Sequence, residues 1–141
     1  MTDARAEITP WPGYLHRVRY SEVDPQSIVF NSRYLEFFDA AMTEYYRSIG
    51  FSPKAITEVG FDPVLMKVEI QYHSSAVIDD LLRIGVECSR IGNSSMDLGF
   101  TVTRDHDGQL MATGKITYVN IDQVTRKSVA IPDVIRAALK S

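Results

Sequence analysis

Asp24 and Asn31, seven positions apart, are residues that could carry out acyl transfer. Pro25 disfavours the helical conformation at the residue before it, so the Asp24 carboxylate is expected on a turn. Asn31 is a good N-cap residue, and backbone N–H groups at a helix start can stabilise negative charge. A carboxylate close to such N–H groups can attack a carbonyl or activate water while the amides stabilise the oxyanion. The spacing therefore predicts a reactive turn followed at once by a helix.

The helix that would position Asn31 is long and apolar over most of its circumference. Phe30 and Leu35 stand at the two positions of a hydrophobic staple, and Gly50 supplies a left-handed stop. Apolar residues recur at spacings of three and four, at Phe30, Tyr34, Phe37, Phe38, Ala41, Met42, Tyr45 and Ile49. Such a helix has to be covered on more than one side.

The rest of the chain predicts a sheet that can cover this helix. Alternating polar and apolar residues indicate a first strand from Tyr14 to Tyr20 and, after a loop over 51–63, strands over 66–73, 82–89, 96–103 and 110–121. Turns are expected at 79–80, 92–93 and 105–108, and a short helix over 132–140. The order of elements predicts an α+β fold in which a curved antiparallel five-stranded sheet wraps around one long central helix.

Composition narrows the range of partners. A chain of 141 residues predicts a single domain, residues 1–141, with 1–12 as a loose arm. The net charge of −3 gives no basic field for nucleic acid, and no apolar run approaches the ~20 residues needed to span a membrane. The single cysteine, Cys88, excludes an internal disulfide framework. These features predict a cytoplasmic protein.

The stretch from Arg19 to Pro25, with Ile28-Val29-Phe30 and the helix start at Asn31, resembles the hotdog-fold thioesterases of the 4-hydroxybenzoyl-CoA thioesterase type. The resemblance extends over nearly the whole chain. It implies that Asp24 attacks a thioester or activates water, and that the backbone N–H of Asn31 is the oxyanion donor. It also implies an acyl-CoA substrate, no cofactor beyond the coenzyme A of the substrate, and a homodimer or homotetramer with sites at the dimer interface.

The chain departs from the family at two positions. The family usually has Gly at the position of Ser27, and many bacterial relatives have His at that of Asn31. Glycine accepts positive φ more readily than serine, so the loop after Asp24 could differ in conformation.

Further residues are candidates by chemistry or by resemblance. Ser27 and Tyr34 are expected to line the acyl pocket. Lys127, with Arg126 and Arg90 as weaker candidates, would contact the phosphates of coenzyme A. Asp39 is a reserve catalytic residue, because another branch of hotdog thioesterases uses a carboxylate on the central helix. Glu22 is expected to face solvent.

Other classes of function have less support. His16, His73 and His106 are too scattered to predict a metal site, and no nucleophile elbow or phosphate-binding loop is found. A hotdog hydratase or dehydratase would need a histidine placed beside an acid, and none of the three histidines fits. A weakly catalytic or non-catalytic acyl-CoA-binding module remains the main alternative, and the acyl group itself stays open.

Overall fold

The computed structural model describes residues 11–140. Its helices and strands are β1 (Tyr14–Arg17), α1 (Arg33–Ser48), α2 (Pro53–Glu58), β2 (Pro63–Tyr72), β3 (Leu81–Ile91), β4 (Ser95–Arg104), β5 (Leu110–Asn120) and α3 (Asp133–Lys140), with a short 3₁₀ helix at Tyr20–Glu22. The strands form one antiparallel sheet in the order β1-β3-β4-β5-β2. The predicted α+β plan of a long helix and a five-stranded antiparallel sheet is confirmed.

The core lies between α1 and one face of the sheet. Phe37, Phe38 and Ala41 on α1 are buried against residues such as Leu98 and Phe100 on β4. Phe38 stacks on Phe100 with ring centroids 4.6 Å apart. The alternation read from the sequence therefore identifies the strand faces that carry this core.

Three local features differ from the expectations. The first strand ends at Arg17, and the chain turns into the 3₁₀ helix before it reaches Asp24. Helix α1 begins at Arg33, with Ser32 and not Asn31 at the N-cap, because the carbonyl of Phe30 accepts the N–H of Arg33 in a tight turn ahead of the helix. The 51–63 segment contains the short helix α2, which is capped by the Ser52 hydroxyl.

The expectation that Glu22 faces solvent is wrong, because its side chain is buried. The residue is 8% exposed, and its carboxylate lies 2.8 Å from His16 Nε2. It also accepts the backbone N–H of Arg19 at 2.8 Å. A carboxylate at the end of a strand would ordinarily be solvated, but here β1 supplies a buried partner.

The predicted arm over 1–12 falls mostly outside the described residues. Its last two residues contact the body of the protein: the Trp11 ring lies 5.6 Å from that of Tyr45, and the Pro12 carbonyl accepts a hydrogen bond from Arg83. Gly50, which follows the C-terminal end of α1, has a φ of 102°, as the predicted left-handed stop requires. No helix within residues 11–140 is long and apolar enough to cross a membrane.

Candidate active site

The Asp24 turn is a small closed loop held at its neck by backbone hydrogen bonds. Val23 and Val29 form an isolated antiparallel bridge, and the N–H of Phe30 donates to the carbonyl of Glu22 at 2.9 Å. Since the Glu22 carboxylate is bound to His16, the neck is anchored to β1. The position of the turn is thus determined by the buried core and not by the loop alone.

Within the loop, Asp24 makes three hydrogen bonds. Its N–H donates to Ile28, its carbonyl accepts from Ser27, and its Oδ1 accepts the Gln26 N–H at 2.8 Å. The last contact is an Asx turn, which fixes the rotation of the carboxylate. A carboxylate oxygen, Oδ2, is therefore presented in a defined direction.

Ser27 adopts a left-handed backbone conformation, at the position where the family usually has glycine. Its φ is 65°, and its side chain is exposed. The serine thus keeps a positive φ at this position of the loop, at some cost in backbone strain. Ser27 does not lie among the residues that line the cavity beside Asp24.

A cavity of about 250 Å³ opens beside Asp24 and the start of α1. One wall comes from the Asp24 loop, a second from the turn at Asn31 and from Tyr34, and a third from the end of β2. The lining residues are Asp24, Gln26, Ile28, Val29, Asn31, Tyr34, Tyr72, His73, Ser74 and Ser75. The structure thus brings together Asp24, Asn31 and Tyr34, three of the residues selected from the sequence.

The turn before α1, from which Asn31 lines this cavity, has backbone N–H groups without an acceptor. Within residues 11–140, the N–H groups of Asn31 and Ser32 donate to no acceptor. The N–H of Arg33 donates to the Phe30 carbonyl, and that of Leu35 donates to the Ser32 carbonyl. Donors at a helix start can bind an anion or a developing oxyanion. The Asn31 N–H therefore stays available for the predicted role.

Tyr34 combines a core position with a place in the cavity wall. Its ring is buried and packs edge-on against the rings of Phe37 and Tyr72. Burial is the main cause that raises the pKa of Tyr34 to about 12, so its hydroxyl is neutral at physiological pH. The Tyr34 hydroxyl can donate or accept a hydrogen bond but cannot act as a base there.

Tyr72 and His73 are among the cavity residues that were not predicted to belong to the site. They lie at the end of β2, about 40 positions from Asn31 along the chain, and no local pattern connects them with it. The Tyr72 hydroxyl donates to the Asn31 carbonyl at 2.8 Å, and His73 Nε2 lies 3.3 Å from the Thr113 hydroxyl. A contact between distant segments decides their place, and only the sheet register reveals it.

The candidate phosphate ligands Arg126 and Lys127 lie on an exposed loop far from this cavity. The loop follows β5, and the register pairs Asn120 with Pro63 at the start of β2, whereas the cavity is at the end of β2. The ten residues of β2 separate the two places by about 30 Å. Within one chain, the loop and the cavity are not brought together.

Arg90 is already occupied by a carboxylate. Its guanidinium makes two hydrogen bonds to Asp97, at 2.9 and 3.2 Å. This pair is the first cause of the lowered pKa of Asp97, which also accepts from the Thr117 hydroxyl. To bind a phosphate, Arg90 would have to break its two charge-assisted hydrogen bonds to Asp97.

Asp39 lies on α1 but does not line the cavity. Eight residues, or about 12 Å of helix, separate it from Asn31. Partial burial, and then the nearby Glu36, raise the pKa of its carboxyl. The described residues contain no cluster of His, Cys, Asp and Glu that could hold a metal ion.

Comparisons with known proteins agree with this architecture. Residues 18–139 match the model of the thioesterase-like superfamily. The chain is 31% identical over 125 residues to the acyl-CoA thioesterase YbgC of Haemophilus influenzae, covering 86% of this chain and 89% of that protein. It is also 31% identical over 125 residues to the long-chain acyl-CoA thioesterase FadM of Escherichia coli, covering 88% and 93%.

The fold is shared with solved structures as well. Slr0204, a 1,4-dihydroxy-2-naphthoyl-CoA thioesterase from Synechocystis, superposes with a TM-score of 0.83 at 20% identity, over 91% of this chain and 94% of that chain. This likeness confirms the hotdog fold. With a family match that extends over most of its length, the chain belongs to the thioesterase-like superfamily.

Proposed function

We propose that this protein is an acyl-CoA thioesterase that hydrolyses its substrate in the cavity beside Asp24. The observation that carries the proposal is that two residues line the same cavity: Asp24, whose carboxylate has a fixed orientation, and Asn31, whose backbone N–H has no acceptor among residues 11–140. Relatives at 31% identity are named acyl-CoA thioesterases. The residue types in the cavity are those that thioester hydrolysis requires.

In the proposed reaction, the thioester carbonyl lies over the turn at Asn31. Asp24 either attacks the carbonyl carbon directly, forming a mixed anhydride that water then hydrolyses to the free acid, or takes a proton from a water molecule, whose oxygen then forms the new C–O bond. The Asn31 N–H stabilises the oxyanion, and the C–S bond breaks to release coenzyme A as a thiolate. Because a thiol of pKa about 8.5 is a good leaving group, a strong general acid is not required.

The first experiment is a panel of alkyl and aryl acyl-CoAs with wild-type protein, measured by release of free thiol. We expect turnover on at least one class, and the preferred chain length or ring identifies the acyl group. Binding of acyl-CoAs without thiol release would contradict hydrolysis and favour the acyl-CoA-binding module.

The presence of His73 in the cavity supports a second candidate, a hydratase acting on an enoyl-CoA. The sequence did not place any histidine beside an acid, yet His73 and Asp24 line one cavity. Hydration would add the oxygen of water to the β carbon and a proton to the α carbon. Including 2-enoyl-CoAs in the same panel separates the two reactions, since hydration removes the enoyl absorbance without releasing thiol.

We further propose that two copies pair along β2 and complete the site. Strand β2 is at the edge of the sheet, where its outer backbone groups can pair with another strand. Apolar residues of β2, including Leu65, Met66 and Tyr72, are exposed. An antiparallel pairing of β2 with a second β2 would bring the partner's loop after β5 to the cavity, which would unite Lys127 and Arg126 with Asp24 across two chains.

This pairing predicts a dimer that a charge on β2 weakens. Wild-type protein should have a mass of about twice 15.9 kDa by light scattering, or four times if dimers associate further. Leu65→Lys places a charge on a residue that is 44% exposed on the helix-side face of β2, and should shift the mass towards the monomer. Val134→Lys on α3, at 54% exposure, is the matched control and should leave the mass unchanged. A monomeric wild type would contradict the pairing.

A further inference from the structure

Tyr72 forms a hydrogen bond between the end of the edge strand and the turn that presents the oxyanion donor. Its hydroxyl donates to the Asn31 carbonyl at 2.8 Å, and its ring lies edge-on to Tyr34 at 5.4 Å. The residue is 52% exposed and lines the cavity. A half-exposed tyrosine at a strand end contributes little to the core, so its position calls for another explanation.

The hydrogen bond to Asn31 fixes one of the two peptide planes that flank this residue. The peptide between Asn31 and Ser32 is held through its carbonyl by Tyr72. The peptide between Phe30 and Asn31 is held through its carbonyl by the Arg33 N–H at 2.9 Å. Because peptide units are planar, the plane held by Arg33 fixes the direction of the Asn31 N–H, the plane held by Tyr72 fixes that of the Ser32 N–H, and the two bonds together fix φ and ψ of Asn31.

The Tyr72 hydroxyl gives the Asn31 carbonyl a donor that the turn itself does not provide. Asn31 lies ahead of the first residue of α1, outside the regular hydrogen bonding of the helix. Ser32, at the N-cap, makes no side-chain capping bond. Without Tyr72, the carbonyl of Asn31 would have no partner among residues 11–140, and its peptide plane could rotate.

We propose that Tyr72 is a positioning residue for thioester hydrolysis, which orients the oxyanion-binding turn through the Asn31 carbonyl and forms one wall of the acyl subsite. This inference depends on the proposed function. Catalysis by an oxyanion site requires donors that are already oriented before the charge develops. A hydroxyl on a neighbouring strand provides that orientation without touching the reacting atoms.

Tyr72→Phe removes the hydroxyl and keeps the ring. We expect kcat to fall about threefold to tenfold, the range for loss of one neutral hydrogen bond, with KM for acyl-CoA changed less than twofold. Tyr20→Phe is the matched control, because Tyr20 is 83% exposed and lies outside the cavity, and it should keep wild-type kinetics. An unchanged kcat in Tyr72→Phe, or a rise in KM alone, would overturn the positioning role.

A second measurement tests the anchor without reference to turnover. Exchange of the hydrogen-bonded Phe30 and Arg33 amides should be faster in Tyr72→Phe than in wild type and Tyr20→Phe. Equal exchange in all three proteins would overturn the inference even if wild type is active. If wild type hydrolyses no acyl-CoA but exchange rises only in Tyr72→Phe, the proposed function fails while the anchoring of the turn stands.

Discussion

Asp24→Asn should reduce kcat for acyl-CoA hydrolysis by about 10²- to 10⁴-fold, the range expected when a positioned base is lost. An amide neither attacks the thioester nor accepts a proton from water. The asparagine side-chain oxygen can still accept the Gln26 N–H, as Asp24 Oδ1 does at 2.8 Å. The loop should therefore keep its conformation, and the loss reports on chemistry. The measurement is steady-state thiol release, with thermal unfolding of the variant to verify its fold.

Asp107→Asn provides the matched control for this experiment. Asp107 Oδ1 accepts the N–H of the residue two positions later, as Asp24 does, but it lies in the β4–β5 turn outside the cavity. Its pKa is lowered to about 2, first by a hydrogen bond from Arg104, so this variant loses an exposed ion pair as well. Such exposed pairs contribute little to stability, and turnover should stay at the wild-type level.

Asp39→Asn decides between the two carboxylates. If Asp24 is catalytic, this variant should keep kcat within about threefold of wild type. If Asp24→Asn were fully active and Asp39→Asn inactive, Asp39 on α1 would be the catalytic carboxylate. The distance along the helix and the absence of Asp39 from the cavity lining support Asp24.

The elements of this fold could be predicted because their signals are local. Alternation identified the faces of β3, β4 and β5, and the spacing of aromatic residues identified α1. The signal for the Asp24 turn is also local, since Pro25 and the helix start lie within a few residues of Asp24. Each of these inferences depends on neighbours along the chain and needs no knowledge of packing.

The parts of the site that were missed depend on long-range contacts. Glu22 is buried because His16, on β1, meets its carboxylate, and Phe37 of α1 covers the His16 ring at 4.4 Å. Tyr72 and His73 enter the cavity because the sheet places the end of β2 beside the start of α1. Their residue types are unremarkable in the sequence. Only the tertiary arrangement gives them a role.

The exact start of α1 was also beyond local reasoning. An asparagine after a hydrophobic residue favours an N-cap at Asn31, but the Phe30–Arg33 hydrogen bond forms a separate turn, and the N-cap falls one residue later, at Ser32. This shift is favourable for the proposed chemistry. It leaves Asn31 ahead of the helix, in the wall of the cavity that Asp24 also lines, with a backbone N–H that has no acceptor among residues 11–140.

Gly114→Ala should lower the free energy of unfolding by about 1–3 kcal/mol, the usual cost of overpacking a core. A Cβ on Gly114 of β5 would lie 2.5 Å from Cε2 and 2.8 Å from Cζ of Phe38. Phe38 is fully buried and stacked on Phe100, so its ring has little room to move. Helix α1 would have to shift away from the sheet, and urea denaturation measures the cost.

The contact between Gly114 and Phe38 can be isolated by two further variants. Gly85→Ala, on β3, is the matched control, because a Cβ there meets no atom within 4 Å, and its stability should stay close to that of wild type. In a Phe38→Leu background, Gly114→Ala should cost less than in wild type, since the smaller side chain relieves the overlap. Equal costs in both backgrounds would show that the loss comes from the backbone of β5 and not from α1. Gly114→Ala should also lose turnover while it is still folded, because the turn at Asn31 leads directly into α1. Such a loss would show that the close approach of helix and sheet also sets the geometry of the candidate active site.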